Sequence, residues 1–72
     1  MQIQIKDEFI KLGQAMKLAG LVDEGAEAKA VILNGEVLVN GETEYRRGRK
    51  LHPGDVFVWI NDPDRKEVEV VC

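Results

Sequence analysis

The sequence predicts one small α+β domain, two helices packed against a small, mostly antiparallel β-sheet, and three observations carry that prediction. Residues 8–19 and 26–33 place apolar side chains at helical spacing, and each run stops at a glycine, Gly20 or Gly35. Val37-Leu38-Val39 and Glu42–Arg46 flank Asn40-Gly41, a strong hairpin signal because both turn positions must take positive φ. Val56–Ile60 and Glu67–Val71 read as two further strands around a turn at Asn61-Asp62-Pro63-Asp64.

In chain order, Gln2-Ile3-Gln4-Ile5 alternates polar and apolar as a half-buried strand does. Asp7 is placed to cap a helix beginning at Glu8, where both carboxylates meet the positive end of the helix dipole. Phe9, Leu12, Met16 and Ala19 form its apolar face, widened by Ile10, Ala15 and Leu18, while Lys11 and Lys17 fall outside the stripe. Leu21–Gly25 is too short to separate the helices, so they pack together. Ala28, Val31 and Ile32 are the buried side of the second helix, and Glu27 lies near its positive end. Gly48 suits a bulge or bend in the following basic segment. His52-Pro53-Gly54-Asp55 is a turn. Phe57 and Trp59 share one strand face and Val56, Val58 and Ile60 the other; one face is core, and Trp59 is assigned to packing ahead of ligand contact.

The totals exclude several functions. The chain has 72 residues, enough for one core and no second domain, and 44% of them are apolar, which argues against disorder. No apolar run approaches the ~18–20 residues of a membrane span, and Met1–Lys6 lacks a signal-peptide pattern, so cytoplasmic residence is expected. One cysteine, Cys72, and one histidine, His52, leave no disulfide and no cysteine- or histidine-rich metal site; no metal or cofactor is expected. With no serine, no paired nucleophile and base, and no glycine-rich phosphate loop, the chain is not read as an enzyme. Glu42 and Glu44 alternate on one strand and are expected to be solvated.

Charge is the more informative signal. The net charge is −3, yet residues 45–52 (Tyr45-Arg46-Arg47-Gly48-Arg49-Lys50-Leu51-His52) hold four cations and no anion. The other six cations face thirteen carboxylates, so a single basic patch sits on an acidic body. Such a protein docks in one orientation rather than coating nucleic acid. Arg46, Arg47, Arg49 and Lys50 are the leading candidates for contact, because guanidinium forks suit phosphate oxygens and stack on unpaired bases. Lys11 and Lys29 are candidates to extend the patch from the helices. Tyr45 and His52 flank it, either stacking on bases or covering the sheet. A charged loop balanced by Glu42, Glu44 and Asp55 is the plain alternative.

These residues resemble a known family. Lys11-Leu12-Gly13, Met16, Gly20, Ala28, Gly35, Val37, Val39, Asn40-Gly41 and Gly54-Asp55 follow the register of the S-four-type RNA-binding domain, or alpha-L motif, over about residues 9–57. That family has Arg-Leu-Asp in the first helix, Ser-Arg opening the second, then Gly-x-Val-x-Val-Asn-Gly and Pro-Gly-Asp. Two positions depart: Glu24-Gly25 replaces Ser-Arg, where a carboxylate would repel phosphate, and Gly13 replaces Asp. A segment from Glu44 to Lys50 rich in Arg and Lys, followed by Leu51-His52-Pro53-Gly54-Asp55, is similar to the small stand-alone bacterial members. The resemblance implies a non-catalytic protein that recognises structured RNA, with ribosomal RNA or the assembling ribosome favoured, through a basic hairpin; a monomer is expected. The alternative is a protein-interaction module whose basic hairpin docks an acidic partner. A sulfur-carrier-like β-grasp is disfavoured by the ending Val70-Val71-Cys72 in place of Gly-Gly.

Overall fold

A computed structural model describes residues 1–61, 63 and 65–72. The strands and helices are β1 (Gln2–Gln4), β2 (Ile10–Lys11), α1 (Leu12–Leu18), α2 (Gly25–Leu33), β3 (Val37–Val39), β4 (Glu42–Thr43), β5 (Lys50–Leu51), β6 (Val56–Trp59) and β7 (Lys66–Val71). A five-stranded sheet runs β1-β7-β6-β3-β4, and β2 pairs with β5 in a second, two-stranded sheet. Every pairing is antiparallel except β1 with β7, where Gln2, Ile3 and Gln4 lie beside Glu69, Val70 and Val71. The α+β prediction holds. The predicted turn at Asn61–Asp64 falls partly outside the described residues.

Alternation along the strands sets the core. Val37, Val39, Phe57, Val68, Val70 and Ile3 are buried on one face of the sheet, and α1 and α2 cover them with Leu12, Ala15, Met16, Ala28, Val31 and Ile32. Phe57 belongs to this inner face. Trp59, on the same face, is half-buried against the core, and its indole N–H donates to Glu36 Oε1 at 3.1 Å. That bond holds the Glu36 carboxyl below its ordinary range.

Both helices close as their glycines predict. At the end of α1, Gly20 N–H donates to Lys17 O and Leu21 N–H to Met16 O; at the end of α2, Gly35 N–H donates to Ile32 O and Glu36 N–H to Val31 O. This paired closure requires a left-handed residue just past the helix. Gly35 meets a second constraint, because a Cβ there would lie 3.2 Å from Tyr45 Cε1 at a φ of +75°. Gly35→Ala should therefore cost ~1–3 kcal/mol in urea denaturation, from backbone strain plus displacement of the Tyr45 ring. Asn40 and Gly41 form the predicted turn, with φ of 50° and 87°.

Three local expectations are corrected. The first helix starts at Leu12, four residues later than its apolar spacing suggests, because Ile10 and Lys11 pair with Leu51 and Lys50. The freed N–H groups of Leu12 and Gly13 are satisfied by the carbonyls of Arg49 and Arg47, each at 2.9 Å, so Asp7 is not needed as a cap. Leu18, expected on the apolar face, is exposed. The strand predicted over 42–46 stops at Thr43, and Gly48 lies in a turn, the bend of the two expected alternatives. Arg46–Arg49 consequently form a loop between β4 and β5, not one arm of a hairpin.

Candidate nucleic-acid interface

The loop is organised by a residue expected in solvent. Glu44 is buried, and it is the only buried charged residue among those described. Its Oε2 accepts the backbone N–H groups of Tyr45 and Arg46, both at 3.1 Å, and Arg46 Nε at 3.0 Å. Its Oε1 accepts Arg46 Nη2 at 3.2 Å and Arg49 Nη1 at 2.7 Å. Hydrogen bonding from Arg46 outweighs the penalty of burial and, with Arg49 helping, holds the Glu44 carboxyl down at about 2. The same pairing raises the Arg46 guanidinium.

The rest of the loop is tied to the first helix. The Gly13 and Leu12 N–H groups bind the Arg47 and Arg49 carbonyls, so the Arg47 side chain emerges beside the start of α1. A Cβ on Gly13 would touch Arg47 Cβ and O at 3.6 Å, an ordinary contact. The departure from Asp at this position therefore still leaves the loop seated.

A groove of ≈ 270 Å³ lies between that loop, the exposed face of α1 and the first residue of α2. Lys11, Lys17 and Arg47 supply its charge, Gln14 adds an amide, and Gly13, Gly25 and Gly48 are the small residues lining it. No carboxylate among the described residues lines it. Among the described residues, no hydrogen bond or ion pair occupies the Lys11, Lys17 or Arg47 side chains. Glu24 is exposed at the N-cap of α2 but does not line the groove, whereas Gly25 does. A second, more open depression is lined by Arg46, Gly48, Arg49 and Lys50.

The eight sequence candidates thus separate. Arg47 and Lys11 meet in the groove; Arg46, Arg49 and Lys50 meet in the adjoining depression. The Lys50 ammonium lies 4.8 Å from the centroid of Phe9, whose ring tilts 51° against His52 at 6.2 Å. His52 is exposed, its Nδ1 3.9 Å from Asp55 Oδ2. Lys29 is exposed on α2 but lines neither depression. Tyr45 packs by its ring edge over Gly35, at the opposite end of α2 from Gly25, and keeps much of its surface in solvent.

From the sequence Lys17 ranks below Lys11 and Lys29 as an extension of the patch, and Gln14 is no candidate at all, yet both line the groove. Both lie on the exposed side of α1, three residues apart, opposite buried Leu12, Ala15 and Met16. That spacing was the available signal. Two motif residues are structural: Asn40 Nδ2 donates to Asp55 Oδ1 at 3.0 Å, and Asn40 Oδ1 accepts the Val56 N–H at 3.0 Å. Asp55 Oδ2 also accepts the His52 N–H at 2.8 Å, which, with Asn40, lowers the Asp55 carboxyl. They clasp the β3–β4 turn to the start of β6 instead of facing a ligand.

Among the described residues, no group of three or more His, Cys, Asp or Glu side chains is arranged to hold a metal ion. No helix among them is long and apolar enough to cross a membrane. Comparison with known proteins gives two findings. The sequence profile of the S4 domain matches residues 3–71. A relative in Bacillus subtilis (strain 168), described as "Probable ribosome maturation protein RlbA", is 52% identical over 54 residues, spanning 75% of this chain and 76% of the relative.

Proposed function

The chain belongs to the S4 domain family, and on that premise we propose that it is a non-catalytic protein that binds structured RNA, ribosomal RNA or the assembling ribosome foremost. The observation that carries this is the groove where Lys11, Lys17 and Arg47 converge, with no carboxylate among the described residues that line it, on a chain whose net charge is −3. An acidic body disfavours indiscriminate attachment to a polyanion, so attraction is concentrated on one side. Binding rests chiefly on phosphate contacts and on the shape of the RNA, with little reading of base edges. The relative's description as a ribosome maturation protein supports the choice of RNA.

The test is RNA binding across a salt series, with Lys11, Lys17 and Arg47 changed together to Ala. These side chains carry no ion pair among the described residues, so circular dichroism should stay unchanged. Each lost phosphate contact lowers the log–log salt slope by ~0.9, so the triple variant should lose about 2–3 from the slope. An unchanged slope in the folded variant rejects the groove. Equal or tighter binding to polyglutamate than to RNA would favour the rival, a module that docks an acidic protein.

A further inference from the structure

Glu44 is an unexpected residue to find buried beside the basic loop. A buried carboxylate immediately precedes the densest run of cations in the chain and takes five N–H donors, three of them from guanidiniums. Arg46 meets it side-on through Nε and Nη2, which leaves the outer edge of its fork, Nη1 included, free. Arg49 meets it through Nη1, which leaves Nε and Nη2. Each guanidinium has five N–H groups, so both retain donors after Glu44 is served. Their side chains still reach solvent, with 73% of the Arg46 and 35% of the Arg49 side chain exposed. Both forks line the depression next to the groove.

We propose that Glu44 determines the selectivity of the RNA surface. It holds the Arg46 and Arg49 forks in one geometry and cancels one of their charges, which favours folded RNA over flexible single strands. The proposal rests on the reading above that the chain binds structured RNA and adds the residue that sets that preference. Two effects act together. Guanidiniums already ordered give up little freedom when they meet phosphates held at fixed positions. The cancelled charge weakens the long-range attraction that any flexible strand could use by wrapping around the loop. Glu44 is a positioning residue, touching RNA only through the arginines it holds.

The experiment compares binding of the full chain to Mg²⁺-folded, deproteinised ribosomal RNA and to oligo(U), each across a salt series. Glu44→Gln keeps an acceptor in place but removes the charge. The ratio of affinities for folded over single-stranded RNA should fall roughly tenfold, and the oligo(U) slope should steepen by about 0.7. A folded Glu44→Gln variant with unchanged ratio and slope overturns the proposal. The double variant Arg46→Lys/Arg49→Lys leaves Glu44 and every charge in place but removes the planar forks. It should lose the ratio without a change in slope, and wild-type selectivity there overturns the proposal even if Glu44→Gln does not fold. Should the wild-type chain show no salt-sensitive binding to either RNA, the RNA-binding reading itself falls and takes this inference with it.

Discussion

Glu44→Ala should destabilise the fold by about 2–3 kcal/mol at neutral pH, measured by urea denaturation. Removing one partner of a fully buried ion pair typically costs ~3–5 kcal/mol. Here the arginine side chains can rehydrate, so the loss lies below that range. The Tyr45 and Arg46 N–H groups also lose their carboxylate acceptor. The pH dependence provides an independent check. The folded-state carboxyl sits at about 2, below its ordinary 4.5, so its contribution is fully present above the ordinary value. That contribution erodes as pH falls through the interval between the two values and is gone below the lower one. The gap in stability between wild type and Glu44→Ala should thus be wide at pH 7 and nearly closed at about pH 2. Glu36 and Asp55 are also lowered and add their own acid sensitivity to both proteins, so the difference isolates Glu44. A gap that stays constant through the acid range would show that Glu44 is not held ionised by its arginines.

Phe57→Ala should have the largest effect on the fold, ~3–5 kcal/mol. Phe57 is fully buried on β6, whose neighbours are β3 and β7, and has the largest side chain among the fully buried residues. Its removal leaves a cavity between Val39 and Val68, its partners on either side. A core of this size supplies only about 3–5 kcal/mol in total. The variant should be largely unfolded at 25 °C, with loss of cooperative thermal unfolding by circular dichroism. A variant that keeps a sharp transition within a few degrees of wild type would show that the helices close over the cavity.

Much of the frame was legible because its signals are local. Asn40-Gly41, the stops at Gly20 and Gly35, the buried triplet Ala28, Val31 and Ile32, and the alternation of β3, β6 and β7 each follow from a few adjacent residues. The misplaced start of α1 has a different origin. Phe9 and Ile10 continue the helical spacing by coincidence, while pairing between residues 10–11 and 50–51 leaves no trace in either stretch alone. Strand alternation likewise put Glu42 and Glu44 together in solvent. Arg46 and Arg49 instead follow Glu44 at intervals of two and five residues and draw it inward. The candidate site was legible only as a composition: the four clustered cations fall along the groove and the depression beside it. How those cations divide between them was not, because that depends on which backbone carbonyls α1 captures.

The ladder between β1 and β7 constrains the order in which the molecule can be assembled. The helices and the β3–β4 turn draw on neighbouring residues and can begin to organise as soon as those are available. Residues 2–4, by contrast, have their partners at 69–71, and Ile5 N–H finds its acceptor at Val71 O. During synthesis these first donors and acceptors must remain hydrated until almost seventy further residues have been added. Closing a loop of that length precedes any return from the contacts it makes. The rim of the sheet farthest from β4 is thus the last part of this chain able to form, whatever the basic loop has already met.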